Sequence, residues 1–558
     1  MNYTLSASDH NLLHLFKCNT NYKKLTQMNK KQQTGNAKNR RQHEINDVLL
    51  SFYDTIDNEF HFFKNGQGQG SGQGPNYFDS IFKHKLVNIR ATSDKSSEKK
   101  IISVLENIPY VPSSIITYIK ENCTYILTYS FHIDTNRTAK VNFIIFEDST
   151  YEINNIRKKS ASYFKNAVLK IYLWLKIASK HAAKECGPKL ECFIYLTPFK
   201  RSHPLFSKEH EREHEREHKH EHEKGAETDA AYEDYEEYEE LYHHVNIPHG
   251  GGVLKPIHIN GGISDLCEPS GRIIVYRKEE WFKVFIHETM HNYGLDFGKM
   301  NITAANALLH KMFTIQKDVK LYESYCEVWA RIMNIVFETY FDINSHAKFS
   351  SRTTRKNFID NLKESEINEG GASLSEGMET NINIASNASV KSARNRRRFL
   401  KQFYNYLQYE SLFSLFQNIN ILNYMGLDYN IISNCTDSNY IVAKKLYKEE
   451  TNAFAYYIIV SILLSNFNNF ILWCIDNNTN IIQFKKNKNS IISFVQFIYK
   501  NYKKSELLNI IVDLEIHLET MDTNIKNDEK YDPDEPDKTR KNNEMLRTMR
   551  MTIVGGYL

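Results

Sequence analysis

Residues 279–297 read EEWFKVFIHETMHNYGLDF, and this stretch decides how the rest of the chain is interpreted. It contains His287, Glu288 and His291 in the pattern HExxH, which places two imidazoles one turn apart on the same face of a helix. Imidazoles in this arrangement can share a zinc ion, and the glutamate between them can take a proton from a water that the zinc activates. The pattern predicts a zinc site with Glu288 as its general base.

The same pattern also occurs at 210–214 and 214–218, inside the repeat KEHEREHEREHKHEHEK. Both copies are flanked by charged low-complexity sequence, so no hydrophobic wall can form around a metal there. In the copy at 287–291, the apolar run VFI precedes the first histidine, and Gly294 is placed to act as a C-cap. A helix of this kind can be buried, so the sequence favours the copy at 287–291.

A third ligand has to come from farther along the chain. Phe297 stands where the compact arrangement HExxHxxGxxH has its last histidine. Downstream, residues 321–334 (LYESYCEVWARIMN) carry apolar side chains at helical spacing, with Glu323 and Glu327 one turn apart on a shared face. A carboxylate from this second helix could complete the zinc site, and the spacing leaves open which of the two glutamates does so.

The residues before the predicted helix that carries His287 and His291, called the metal helix below, predict a sheet. Residues 271–276 (GRIIVY) favour a short strand, and a strand beside the metal helix is what an extended peptide substrate would pair with. Further strand-like runs lie at 115–119, 124–131, 141–146 and 191–199, and an amphipathic helix is predicted over 160–184. We therefore expect an α+β fold in which the metal helix packs on a mixed sheet.

The segments EEWFKVFIHETMHNYGLDF and ESYCEVWARIMN resemble the gluzincin type of zinc metallopeptidase, which pairs HExxH with a glutamate on a later helix and usually a second acidic residue four positions on. More narrowly, they look like uncharacterised metalloproteases of giant DNA viruses, over about residues 245–345. The resemblance implies a zincin-like core and one Zn²⁺ per chain, bound by His287, His291 and Glu323, with Glu327 orienting a ligand histidine. The family usually has Asp at the position of Glu327, which leaves the roles of the two glutamates exchangeable.

The resemblance also implies a protein or peptide substrate and a Tyr or His that donates to the oxyanion formed in the transition state. Tyr456 and Tyr457 are the candidates for this donor, because they open a predicted helix of the C-terminal half that could face the cleft. Tyrosine is abundant, with 34 in the chain, so a core position is the alternative for each.

Composition divides the 558 residues into several parts. They are a polar and basic N-terminal segment (1–64), a Gly/Gln linker (65–76), the zincin-like domain (77–345) with its low-complexity insertion (207–244), an insertion expected to be disordered (346–397), a mostly helical C-terminal domain (398–523) and a mobile tail (524–558).

Composition also limits the functions and locations that can be expected. Seventy-one Lys and Arg against 67 Asp and Glu give a net charge of +4, which does not argue for a nucleic-acid partner. The eight scattered cysteines include no CxxC pair, which favours a reducing compartment. The apolar run 453–475 is interrupted by Ser and Asn, which favours two buried helices over a membrane span. We expect an intracellular soluble protein, in the host cytoplasm or the virion if it is viral.

Two other functions stay open from the sequence. One is a non-catalytic zincin-fold protein, structural or virion-associated, in which a metal only stabilises the fold. The presence of Glu288 argues against it, because a purely structural site needs the ligands and not the base. The other is a protein that binds nucleic acid or metal through its basic and histidine-rich segments, with the HExxH helix incidental.

Overall fold

The computed structural model describes the chain over residues 36–65, 77–89, 96–106, 108, 111–146, 161–204, 252–345, 384–528 and 548–555. The predicted Gly/Gln linker after Asn65, the histidine-rich insertion 207–244 and residues 346–383 of the second insertion lie outside these ranges. The described residues form a mixed α/β fold with one sheet and a mostly helical C-terminal region. This confirms the coarse prediction of the fold class.

One mixed sheet is built in the first half of the chain. Its strands are β1 (Lys83–Asn88), β2 (Cys123–His132), β3 (Thr138–Phe146), β4 (Lys189–Thr197), β5 (Gly262–Ser264) and β6 (Ser270–Arg277), in the spatial order β1-β2-β3-β4-β6-β5. β3, β4 and β6 are parallel to one another, whereas β1, β2 and β5 run antiparallel to their neighbours. β5 is therefore an edge strand, and β6 is paired on both sides.

The helices of the first half are α1 (Asn36–Asn65), α2 (Tyr77–Ile81), α3 (Ser96–Glu106), α4 (Ser113–Asn122), α5 (Ala161–Ser179), α6 (Pro256–Ile259), α7 (Trp281–Asn292), α8 (Thr303–Leu309) and α9 (Leu321–Ser345). The parallel pair β3 and β4 is connected through α5, because parallel neighbours need a crossover. The predicted strand at 115–119 is wrong. Ile115 and Ile119 are both buried four residues apart in α4, which is the period of a helix and not of a strand.

The second half is helical. Its elements are α10 (Ile384–Tyr424), α11 (Tyr429–Ser433), α12 (Asp437–Leu446), a π-helix (Phe454–Ile459) that runs directly into α13 (Val460–Ser465), then α14 (Phe467–Asn477), α15 (Lys488–Asn501) and α16 (Ser505–Asp528). The second predicted insertion ends earlier than expected, because α10 already begins at Ile384. Among the described helices, none alone is long and apolar enough to cross a membrane. Only the consecutive pair Phe454–Ser465 and Phe467–Asn477, bent by 95°, meets that test when combined.

A shared hydrophobic core joins regions that the sequence separates. α1 contributes Leu49, Phe52 and Ile56 to the same core as the metal helix and the C-terminal helices, so part of the predicted N-terminal segment is a core element. The predicted mobile tail is also wrong in part. Met549 and Ile553 of the segment 548–555 are at most 1% exposed, because backbone and side-chain bonds described below anchor this segment beneath the metal helix.

Cys186 and Cys267 form a disulfide. It joins the loop that precedes β4 to the loop between β5 and β6. This bridge departs from the expectation of a chain that keeps its thiols reduced. The two cysteines are separated by 81 positions, and no spacing pattern marks them as a pair.

Candidate metal centre

The helix that carries HExxH is α7, and it is buried along its whole length. All twelve of its residues are buried, between the β5–β6 edge of the sheet, α5 and α9. The helix ends at the predicted C-cap: Gly294 has φ +61° and its N–H donates to the carbonyl of His291. A β-carbon at Gly294 would lie 2.9 Å from Sγ of Cys186, so both the backbone conformation and the space require glycine.

Three side chains from α7 and α9 converge on one point. Nε2 of His287 lies 3.1 Å from Nε2 of His291, and Oε2 of Glu323 lies 3.2 Å from the first of these nitrogens and 3.3 Å from the second. Ligands bonded tetrahedrally to zinc at ~2.0–2.1 Å are about 3.3 Å apart. The three atoms thus have the spacing of one face of a zinc tetrahedron, with a fourth position left open.

The outer nitrogen of each histidine contacts another carboxylate. Nδ1 of His287 lies 3.1 Å from Oε2 of Glu327, and Nδ1 of His291 contacts Oδ2 of Asp296. Carboxylates only accept hydrogen bonds, so each Nδ1 carries the proton and each Nε2 of a neutral ring presents a lone pair. Two lone pairs and a carboxylate oxygen facing one another repel unless a cation lies between them. The two nitrogens and one oxygen suit zinc.

The pKa values of His287 and Glu323 also indicate that positive charge is favoured between them. Burial lowers the pKa of His287, but hydrogen bonds to Glu323 and Glu327 outweigh it, and the net pKa is raised. Burial raises the pKa of Glu323, yet the two histidines hold it far below its usual range. A carboxylate that stays ionised while buried needs a nearby cation, and a divalent metal would supply that charge in place of protonated imidazoles.

Glu288 is buried beside the three converging groups and also contacts the edge strand. Oγ of Ser264, at the end of β5, donates to Oε2 of Glu288 over 2.8 Å. Burial raises the pKa of Glu288, and the neighbouring histidines and the Ser264 bond lower it in part. Gly262 allows this approach, because a β-carbon there would lie 3.2 Å from Cγ of Glu288. The strand 271–276 expected to pair with a substrate is interior (β6), so the edge strand next to it, β5, is the one that a peptide could pair with.

Of the two tyrosine candidates, Tyr456 contacts the centre and Tyr457 does not. The hydroxyl of Tyr456 donates to Oε2 of Glu323 over 2.8 Å, and its ring centroid lies 5.8 Å from that of His287. Tyr457 does not contact the centre, so the prediction that it donates to the oxyanion is wrong. Its hydroxyl donates to the carbonyl of Met549 over 2.6 Å, because consecutive helical residues point about a quarter turn apart. Burial raises the pKa of Tyr456 well above its usual range, which keeps its hydroxyl protonated.

Two buried cationic side chains, which were not predicted from the sequence, hold Glu327 in place. Nζ of Lys283 and Nε of Arg331 donate to Oε1 of Glu327 over 2.8 and 3.0 Å, and these three side chains are at most 2% exposed. Arg331 also donates to the backbone carbonyl of Tyr456 over 3.4 Å. A signal was present, because Lys283 stands four residues before His287 and Arg331 four residues after Glu327, each on the matching helix face.

The segment 548–555, distant in sequence, donates hydrogen bonds to two further buried carboxylates. Backbone N–H groups of Met551 and Thr552 donate to Glu280, which also pairs with Arg201. Glu410 in α10 accepts from the backbone N–H groups of residues 553 and 554 and from the hydroxyl of Thr552. No local sequence pattern predicts the contacts of residues 551–554, because they join residues more than 140 positions apart.

Two other groups in the described residues contain metal-binding atom types. One is His291, Asp296 and Cys326, in which Sγ lies 3.4 Å from Oδ2 of Asp296 and 3.6 Å from Nδ1 of His291. Burial raises the pKa of the Cys326 thiol well above its usual range, which opposes the thiolate that zinc prefers. The other group includes Cys186 and Cys267, whose sulfur atoms are already joined.

No protein-family model, curated protein or solved structure matches this chain. The function of the chain is therefore inferred from the residues and geometry of the candidate metal centre.

Proposed function

We propose that this chain is a zinc-dependent metallopeptidase of the gluzincin type, with a zincin-like core formed by the sheet, α7 and α9. The observation that carries the proposal is the convergence of His287, His291 and Glu323 while both outer imidazole nitrogens contact carboxylates. A site of this composition with an open fourth position is typical of catalytic rather than structural zinc. Glu288 supports the same assignment, since it is buried beside the centre and is not one of the three converging groups.

Zinc, when bound, supplies Lewis acidity, which acidifies water and polarises a carbonyl group. The chain's own residues then move and hold the protons. Glu288 accepts the proton of the attacking water and later passes it to the leaving amine. Its raised pKa is closer to neutral pH than that of an ordinary glutamate, which favours this exchange. Ser264 holds one oxygen of that carboxylate in place. The protonated hydroxyl of Tyr456 is positioned to donate to the oxyanion.

The open edge of β5 supports an extended peptide as the substrate. β5 pairs only with β6 among the described strands, and its last residue, Ser264, contacts the general base. A peptide added as a strand beside β5 would run past Glu288 with its backbone fixed by hydrogen bonds. Glu323 is the most exposed of the three proposed ligands, with 13% of its side chain accessible, so solvent reaches the centre at this residue.

The test couples metal analysis to catalysis. Wild type is expected to hold one zinc per chain, whereas His287→Ala and Glu323→Ala are expected to lose it. A library of peptides screened for cleavage should show turnover by wild type and none above background for Glu288→Gln, which should retain its zinc. Full zinc content in Glu323→Ala, or undiminished cleavage by Glu288→Gln, would contradict the assignment.

A further inference from the structure

The sheet carries a row of polar side chains that the proposed peptidase chemistry does not use. Lys83, Ser130, Lys140, Glu191 and Arg272 are direct cross-strand partners on β1, β2, β3, β4 and β6. Directly opposed residues point to the same face of a sheet. Five adjacent strands therefore present one straight row of side chains, of which three are cationic and one is anionic.

This row is the floor of a groove with a volume of about 640 Å³. Lys189 lines it from the next row of β4, two residues before Glu191, and Lys100 lines it from α3. α3 and α4 cover the apolar remainder of the same face, where Ile101, Ile115 and Phe193 form a second, smaller core. The groove is thus the part of this face that these helices leave uncovered, and it lies at the start of the parallel strands.

The charge of the groove is strongly unbalanced. Its lining contains four lysines and one arginine against a single carboxylate. Nζ of Lys100 and Nζ of Lys140 both contact the same oxygen of Glu191, at 2.9 and 3.1 Å. Lys83 and Lys189 pair with no carboxylate in the described part of the chain. Arg272 pairs with Asp265, which lies outside the lining, over 2.9 Å. The two carboxylates cannot neutralise five cations, so the groove has a positive potential that a multiply charged anion would satisfy.

We propose that this groove binds a small oligophosphate. Lysine ammonium groups bind phosphate as point charges, and the hydroxyls of Ser130, Thr138 and Ser270 in the lining add neutral donors for phosphate oxygens. A groove of this volume matches small-molecule sites and not a folded macromolecule. The shared chemistry is a chain or cluster of phosphates, as in inorganic tripolyphosphate, a nucleoside triphosphate or a polyphosphorylated polyol. The site is separate from the metal centre and does not depend on its function.

Substitution of Glu191 should change anion binding in the direction opposite to substitution of the lysines. Replacing Lys83 and Lys189 with glutamine removes two cations that make no ion pair with Glu191, so the ion pairs with Lys100 and Lys140 stay intact. Replacing Glu191 with glutamine removes the carboxylate that competes with a bound anion for those two lysines. Binding should weaken in the first variant and strengthen in the second.

The experiment is calorimetric titration of the full chain with sodium tripolyphosphate at 50 and 150 mM KCl. Lys83→Gln/Lys189→Gln is expected to bind at least about tenfold more weakly than wild type, and Glu191→Gln about threefold or more tightly. The matched control is Lys500→Gln/Lys503→Gln, which removes two exposed lysines of the α15 end that do not line the groove. Its affinity should stay within about twofold of wild type.

Further arms identify the ligand and protect against artefacts. ATP and inositol hexakisphosphate distinguish a nucleotide from a polyol source, and both should show the same dependence on the variants if the phosphates are recognised. The proposal is overturned if wild type does not bind tripolyphosphate, or if the control pair weakens binding as much as the groove pair. It is equally overturned if binding is lost in His287→Ala but kept in Lys83→Gln/Lys189→Gln, because the anion would then occupy the metal centre. Binding of single-stranded DNA without binding of tripolyphosphate would replace it with a nucleic-acid site.

Discussion

Tyr456 and Tyr457 are adjacent in the chain, yet the structure gives them different tasks, and replacing each with phenylalanine tests the assignment. Both substitutions remove one hydroxyl and keep the ring. Tyr456→Phe removes the donor that lies 2.8 Å from Oε2 of Glu323, next to the open position of the metal centre. Tyr457→Phe removes a donor to the carbonyl of Met549, on the buried side away from the centre. Each variant therefore serves as the control for the other.

Tyr456→Phe is expected to lower kcat, whereas Tyr457→Phe is expected to lower the free energy of unfolding. Loss of one oxyanion donor lowers kcat by about 10²–10³, so Tyr456→Phe should lose about 3–4 kcal/mol of transition-state stabilisation. Its zinc content should not change, because Tyr456 is not one of the three converging groups. Tyr457→Phe leaves the Met549 carbonyl without its buried donor, which costs about 1–3 kcal/mol of unfolding free energy. Its kcat should stay within about twofold of wild type.

The assay is steady-state hydrolysis of a peptide found in the cleavage screen, together with zinc analysis and urea unfolding of both variants. A wild-type kcat in Tyr456→Phe would contradict the role of its hydroxyl, as would an equal loss of kcat in fully folded, fully zinc-loaded Tyr457→Phe. Loss of zinc in Tyr456→Phe would point instead to a role for the hydroxyl in holding Glu323.

Two further predictions concern the contacts around the centre, and a third concerns Glu449, a buried carboxyl group that accepts from the backbone N–H of Phe454. Asp296→Asn should weaken zinc binding about 10–100-fold while leaving the fold intact, because the carboxylate that orients His291 loses its charge; competition with a chelator measures this. Deleting residues 548–558 removes four backbone N–H donors from buried carboxylates. Each bond contributes about 1.5–3 kcal/mol, from which the conformational entropy lost on ordering the segment is subtracted. The urea midpoint should therefore fall, and an added peptide of this sequence should restore it. Burial raises the pKa of Glu449 to about 7 from 4.5, so the stability that its protonated form allows is fully present below pH 4.5 and is lost as the pH rises through 7. Glu449→Gln should therefore be more stable than wild type by up to about 3 kcal/mol at pH 8 and equal to it at pH 4.5, as urea unfolding at the two pH values would show.

Much of the fold around the centre could be predicted from the sequence. The metal helix, its glycine cap, the second acidic helix and most strands follow from periodicity and capping, which act over a few residues. The convergence of His287, His291 and Glu323 was also expected, because HExxH fixes two of the three groups on one helix face. The division between Glu323 and Glu327 could not be settled by spacing, since residues one turn apart share a face and only tertiary packing decides which reaches farther.

One error is a helical period taken for a strand, and the others come from contacts between distant segments. The run at 115–119 contains enough isoleucine and tyrosine to favour a strand, but its burial follows a helical period. The segment 548–555 was predicted as part of a mobile tail, because the residues that hold it, Glu280 and Glu410, lie far away in the sequence. The tyrosine choice was ambiguous for a similar reason, since the π-helix that sets the direction of Tyr456 has no signature in composition.

The central claim is that one metal ion is held by two imidazoles and a carboxylate, and zinc K-edge X-ray absorption of the loaded protein tests it most directly. The geometry predicts nearest neighbours of nitrogen and oxygen only, at about 2.0–2.1 Å, with an imidazole signature from His287 and His291. Glu323→Ala should lose this ordered shell. A sulfur neighbour at about 2.3 Å would assign the ion to the group that contains Cys326, and a protein that retains no zinc would remove the basis of the proposed peptidase.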